Sequence, residues 1–327
     1  MMNKLKYISV TWLILLSSLL GVSSAFAKSY PPRTINMVAP AGAGGGWDIT
    51  IRTVAKTLKD EGIINANLPV INRPGGGGAV NLAYMQSQKG KGDLISVYSP
   101  PILLTHLVGL TPYSYQDTTP IARLITDYAA FVVPKNSPYT SINQVMEALK
   151  EDPKSIKIGG TSAAGSMDHI QFLLVAKAAG VNNLKNIDYI SFQDGGVVAQ
   201  VLGGHIDLIS TGLGDVAGLI QSGELRALAQ TADKRVGEGM MAEIPTVREQ
   251  GIDVVFENWR GLFGPKDMPE EAINYWRDAL EKMIHTDSWK AALQRNGWDD
   301  AYLDFDDFQP FLENTNQQYN ALIKEVF

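Results

Sequence analysis

Between Thr34 and Ser99 the chain repeats one unit: a short apolar run, a turn of small residues, and a stretch with helical spacing. Thr34-Ile35-Asn36-Met37-Val38-Ala39 reads as a buried strand and Pro40 to Gly46 as its turn. Trp47, Ile51, Val54 and Leu58 then recur at helical intervals until Gly62 stops the helix. Pro69-Val70-Ile71-Asn72 is the next strand, Arg73-Pro74 and Gly75 to Gly78 turn the chain into a helix from about Ala79 to Gln88, and a third strand runs from Asp93 to Ser99. Strands joined through helices pair in parallel, so the unit commits this region to an α/β fold, a mainly parallel sheet flanked by helices.

A second series follows: strand Phe131-Val132-Val133, a helix from Ser141 to Lys150, strand Ile156-Lys157-Ile158 and a helix from about Met167 to Ala179. Strand Asp188-Tyr189-Ile190, a helix from Gly196 to Leu202 and strand Leu208-Ile209-Ser210 complete it. Two series predict two lobes. No flexible linker separates them, which favours short strand-like crossings, near Asp127 to Phe131 and Val255 to Gly261, and the hinged-clamp form of a two-lobed periplasmic-binding-protein fold. From Pro269 the pattern turns helical, and Phe308, Phe311, Leu312, Tyr319, Leu322 and Ile323 suit one face of a terminal helix. The expected organisation is a leader at 1–27, first lobe at 28–127, second lobe at 128–255, and a return at 256–327 whose helices pack on the first lobe.

The leader is read from Lys4 and Lys6, the apolar run Tyr7 to Val22, and Ala25-Phe26-Ala27, an A-x-A cleavage pattern. Its strongly apolar part, Val10 to Leu20, is shorter than the roughly 20 residues that span a bilayer. Cleavage after Ala27 takes the formal net charge from −6 to −8 by removing two lysines. The chain has no cysteine, hence neither a disulfide nor a lipid-bearing N-terminal Cys, and the expected product is a soluble periplasmic protein. An apolar fraction of 45% excludes a disordered chain, and the acidic balance argues against nucleic acid as a partner.

Glycine makes up 31 of 327 residues, above the usual roughly 7%, and much of it is clustered in turns. A glycine-rich turn between a parallel strand and a helix presents free N–H groups at the positive end of the helix dipole, which suits an anion. Pro40 to Asp48 has that layout. Gly42 and Gly44 fit G-x-G-x-x-G, but Trp47 occupies its third position, and no Gly-Lys-Ser/Thr follows, so dinucleotide and P-loop readings fail. Gly44-Gly45-Gly46-Trp47-Asp48 also resembles Ala164-Gly165-Ser166-Met167-Asp168, which places one helix start in each lobe facing a shared cleft. The candidate ligand-binding set is Ala41, Gly44, Gly45, Gly46, Trp47, Asp48 and Ser99 from the first lobe. From the second lobe come Thr161, Ser162, Gly165, Ser166, Gln193 and Asp194. Asp48 reads equally as a helix cap, Trp47 as packing, and the hydroxyls as turn chemistry.

Reacting constellations are missing. His106, His169, His205 and His285 form neither H-x-H nor H-E-x-x-H, there is no G-x-S-x-G elbow, and Asp299-Asp300 and Asp306-Asp307 read as solvated surface. No catalytic residue, cofactor or metal is expected.

The ordered segments Val38-Ala39-Pro40, Gly44 to Asp48, Asn72-Arg73-Pro74-Gly75-Gly76-Gly77-Gly78, Gly160 to His169, Gly203-Gly204-His205-Ile206-Asp207 and Trp259 to Pro265 resemble the TctC-like or Bug family. These are extracytoplasmic solute receptors of tripartite tricarboxylate transporters. The resemblance spans essentially the whole mature chain. It implies a monomeric two-lobed receptor that closes on a small carboxylate and delivers it to membrane permease subunits. It also implies that Ala41 to Asp48 and Thr161 to Ser166 hold the ligand from opposite lobes. Trp47 replaces a frequent Thr, and Phe192-Gln193-Asp194-Gly195 replaces a Tyr-Lys-Gly-Gly-like turn. A citrate-like acid is the first expectation, with an amino acid, an aromatic carboxylate, or a role as a sensor component as alternatives.

Overall fold

A computed structural model describes residues 30–192 and 196–326. The leader read at 1–27 and the candidates Gln193 and Asp194 lie outside the described residues. In the first half, β1 (Asn36–Ala39), α1 (Gly46–Asp60), β2 (Val70–Asn72), α2 (Ala79–Gln86), β3 (Leu94–Tyr98) and α3 (Pro101–Leu107) follow in order. β1 pairs in parallel with β2 and β3. Ile51, Val54 and Leu58 of α1 are fully buried against this sheet, each contributing roughly 1.5–3 kcal/mol of transfer free energy.

β4 (Thr118–Pro134) then runs for 17 residues into the second half. There α4 (Ile142–Glu151), β5 (Lys157–Gly160), α5 (Met167–Ala178), β6 (Asp188–Ser191), α6 (Val197–Leu202), β7 (Leu208–Gly212), α7 (Leu213–Gln221) and β8 (Leu225–Gln230) follow. β5 pairs in parallel with β6 and β7. The chain returns along β9 (Glu257–Pro265) and ends with α8 (Glu270–Ile284), α9 (Asp287–Asn296), β10 (Asp299–Leu303) and α10 (Phe305–Val326).

The two parallel units form one continuous sheet through antiparallel partners, in the order β2-β1-β3-β9-β4-β7-β5-β6. β4 pairs with β9 from Thr118↔Pro265 to Tyr128↔Glu257, then with β7 from Ala129 to Val132. The strand-like crossings expected near Asp127 to Phe131 and Val255 to Gly261 fall within β4 and at the start of β9, strands that extend beyond those links. α8 and α9 pack on α1, as the helical tail was expected to do, while α10 also touches α3, β4 and the turn at 184–186. Lys177 at the end of α5 pairs with Glu325 of α10. Phe308, Leu312, Tyr319, Leu322 and Ile323 are buried as the periodicity predicts, in a core that both halves share.

Candidate functional site

The first loop is built around Asp48. No side chain caps α1 from Gly45, and instead the Asp48 carboxylate folds back: Oδ2 accepts Gly44 N at 2.9 Å and Oδ1 accepts Asn72 Nδ2 at 2.7 Å and Arg52 Nε at 2.8 Å. Asn72 also donates to Ala41 O at 3.0 Å, stitching the turn to the end of β2. Burial raises the Asp48 carboxyl, but hydrogen bonds from Arg52, Gly44 and Asn72 outweigh it and hold the group below its ordinary value. The first-turn N–H groups of Gly46, Trp47 and Asp48 have no intrahelical acceptor and stand at the positive end of α1. Trp47 Nε1 donates to Ser99 Oγ at 2.9 Å, and its ring meets Tyr98 edge-on at 5.7 Å. Gly78 has φ +96°, and a Cβ there would lie 2.8 Å from the Tyr98 ring and 3.4 Å from Trp47, so the glycine turn is what lets the two aromatics close on it.

The second loop repeats the scheme with different chemistry. Asp168 Oδ2 accepts Thr161 N at 2.7 Å, Thr161 Oγ1 at 3.0 Å and Ser162 N at 3.0 Å, while Asp168 N donates to Ser162 Oγ at 2.8 Å. Burial pushes the Asp168 carboxyl up to about 6, against the lowering effect of the Ser162 and Thr161 donors. Gly165 N donates to His169 Nδ1 at 3.0 Å, and the His169 ring stacks on Tyr189 at 4.4 Å. Burial pushes His169 down to about 4, so the imidazole that holds this loop is neutral near pH 7.

Both loops open onto one cleft of about 510 Å³. Of the sequence-predicted residues, Ala41, Gly46, Trp47, Ser99, Thr161, Ser162 and Ser166 line it, joined by Gly75 to Gly77. Gly44, Gly45, Asp48 and Gly165 shape the loops from behind, through the hydrogen bonds given above and that from Gly45 N to Gly42 O at 3.2 Å. Hollows of about 400 and 470 Å³ elsewhere, beside Tyr319 and beside Glu313, include neither loop. Among the described residues no cluster of His, Cys, Asp or Glu could hold a metal ion.

Sequence reasoning missed the wall between the loops, which Asn258, Arg260 and Asp215 supply. Arg260 is 7% exposed; Nη1 donates to Thr50 Oγ1 at 2.9 Å and to Gly46 O at 3.3 Å, and Nη2 lies 3.5 Å from Asp127 Oδ2. Its guanidinium therefore sits against the start of α1, adding positive charge where the helix already favours an anion. Burial pushes Asp127 up to about 6; Arg260 pulls it back and Asp215 pushes it further. A lone cation within the apolar run Trp259 to Phe263 was the available signal.

The sequence profile of the tripartite tricarboxylate transporter family receptor matches residues 51–327. BugT of Bordetella pertussis is 24% identical, over 92% of this chain and 91% of its own length. Among solved structures, a TctC solute-binding protein from Polaromonas without ligand is 29% identical, with a TM-score of 0.71 over 91% of this chain and all of that one. A Rhodopseudomonas palustris protein solved with adipate shares the fold, with a TM-score of 0.77 at 22% identity over 91% of this chain and 98% of its own. Among the described residues, no helix is long and apolar enough to cross a membrane.

Proposed function

Because the chain belongs to the tripartite tricarboxylate transporter receptors, a family of solute-binding receptors rather than enzymes, we propose that it captures a small di- or tricarboxylate in this cleft and hands it to membrane permease subunits. The observation that carries this reading is the meeting of two helix-start loops, one from each half, with Arg260 beside the first. A carboxylate at the start of α1 meets unpaired N–H groups, the dipole and a guanidinium together. The lobes at 28–127 with 256–327, and at 128–255, act as jaws, and β4 and β9 are the strands that bend between them. Export by the leader at 1–27 places the receptor in the periplasm, where it works as a single chain.

Local donors answer the puzzle of an acidic chain that takes an anion. A net charge of −8 is screened over roughly 8 Å at physiological salt. Charge-assisted hydrogen bonds contribute roughly 1.5–3 kcal/mol each, so three or four, less the cost of ordering, give about micromolar affinity. A cleft of about 510 Å³ is of ligand-binding size. The Rhodopseudomonas palustris structure solved with adipate supports a carboxylate ligand. Titration calorimetry of the mature chain against a panel of small carboxylates tests the reading. At least one acid should bind near micromolar affinity, and heat from none of them would overturn it.

A further inference from the structure

The reading above uses only Arg260 of the wall between the loops, and the chemistry of Asn258 and Asp215 differs from that of the loops. Asn258 pairs with Asp127 in the β4/β9 register, and directly opposed residues of antiparallel strands project from the same sheet face. Arg260, two residues along β9, shares that face. From the second half, Asp215 at the start of α7 closes the wall: a Cβ on Gly212 would stand 2.8 Å from Asp215 Oδ2 and 3.6 Å from Asp127 Oδ2. The Arg260 guanidinium answers Asp127. Asp215 is exposed in the cleft and receives only a long 3.4 Å hydrogen bond from Thr211 Oγ1 among the described residues. Asn258 is 4% exposed and lines the cleft, yet its buried Oδ1 has no hydrogen-bond partner.

A buried amide oxygen without a donor, beside an exposed carboxylate that has no ion pair among the described residues, favours on this wall a ligand group that donates hydrogen bonds and carries positive charge. An unsubstituted dicarboxylate would instead turn a second negative charge toward Asp215. Resting on the proposed function, we infer that the ligand is an acid bearing an ammonium group. Its carboxylates face the two helix-start loops, and its ammonium faces Asp215, Asn258 and Asp127. Asp215 and Asn258 are then the side chains that set specificity, while the loops grip any acid of suitable length.

Matched acids isolate the ammonium. Calorimetry compares succinate, malate and aspartate, which differ only at one carbon, and then glutarate with glutamate. The wild-type mature chain should bind at least one amino acid ten times or more tighter than its unsubstituted match. In Asp215→Asn, chosen because the exposed residue leaves the core untouched, and in Asn258→Leu, that preference should shrink about tenfold while the unsubstituted acid binds as well or better. Equal or tighter binding of succinate, malate or glutarate by the wild type would overturn the inference and leave the carboxylate receptor standing, as would a preference that survives both substitutions. Silence from every acid would overturn both.

Discussion

The loops that begin α1 and α5 have the same form and opposite electrostatics. In each, an aspartate at the helix start folds back to accept N–H groups of the preceding turn. Asp48 does so with a cation and an amide at its side, Arg52 at 2.8 Å and Asn72 at 2.7 Å, and stays below its ordinary value. Asp168 has only the Thr161 and Ser162 donors, no ion pair among the described residues, and is pushed up to about 6 by burial. The first loop is held by charge pairing that half reaches solvent, since the Arg52 side chain is 49% exposed. The second is held by neutral donors around a carboxylate that burial disfavours. Geometry alone would have called the loops equivalent; their partners distinguish them.

The largest expected effect follows from that difference. Asp168→Ala removes the buried acceptor of two backbone N–H groups and the Thr161 hydroxyl, costing about 3 kcal/mol. Asp48→Ala should cost about half as much, because Arg52 returns to water and Asn72 keeps its bond to Ala41 O. Denaturant midpoints of the two variants measure the gap. An equal or larger loss for Asp48→Ala would break the comparison.

Gly46→Val tests the feature that only the first loop has, a guanidinium against its helix start. A Cβ there would stand 2.8 Å from Arg260 Nη2 and 3.2 Å from Cζ, so the side chain must leave the wall. We expect about a hundredfold weaker ligand binding, equivalent to roughly 2.7 kcal/mol. The ligand-free protein should lose less than half of that in stability; equal losses in calorimetry and unfolding would mean that the loop serves packing alone.

The two aspartates should also answer pH differently. A carboxyl raised from 3.8 to about 6 carries no folding penalty below its ordinary value and the full penalty above about 6. The stability of the wild type relative to Asp168→Asn should therefore fall as pH rises from about 4 to 7, by on the order of 2 kcal/mol. Asp48, being lowered, stabilises above its ordinary value and loses that only as pH falls through its folded value, so the gap to Asp48→Asn should stay flat over the same window. His169, neutral in the fold and pushed down to about 4, stabilises more as pH rises, but it is common to each pair and cancels. A flat Asp168 gap would remove the electrostatic contrast between the loops.

Much of this contrast was legible, and the illegible part has physical reasons. The parallel strands announced themselves as apolar runs because both faces are covered, as the fully buried β3 shows. The twin aspartates announced the loops because capping is local. β8 did not show, since Leu225-Arg226-Ala227-Leu228-Ala229-Gln230 favours a helix and becomes a strand only by pairing with β4. β10 was hidden in an acidic stretch read as surface, which Asp300, Asp306 and Asp307 are, although Asp299 accepts Tyr128 OH at 3.0 Å in the strand that joins β4. Thr118 to Thr126 was hidden by its interleaved Pro120 and Arg123. Arg260 was the costliest omission: it meets Gly46 from 214 positions away, and no local pattern encodes such a contact.

The smallest expected effect separates folding from binding at the second loop. Ser166 precedes α5, is 3% exposed and makes no side-chain capping hydrogen bond, so its hydroxyl contributes little to the helix it begins. Ser166→Ala should leave the unfolding midpoint within about 0.5 kcal/mol of the wild type. The same hydroxyl lines the cleft, and one lost hydrogen bond to a carboxylate is worth about tenfold in affinity. A stability loss without an affinity loss would return Ser166 to the turn and leave Thr161 and Ser162 as the hydroxyls through which the second half reaches an acid. An affinity loss at unchanged stability would show that the second half, whose loop has no ion pair among the described residues, still contributes directly to the grip.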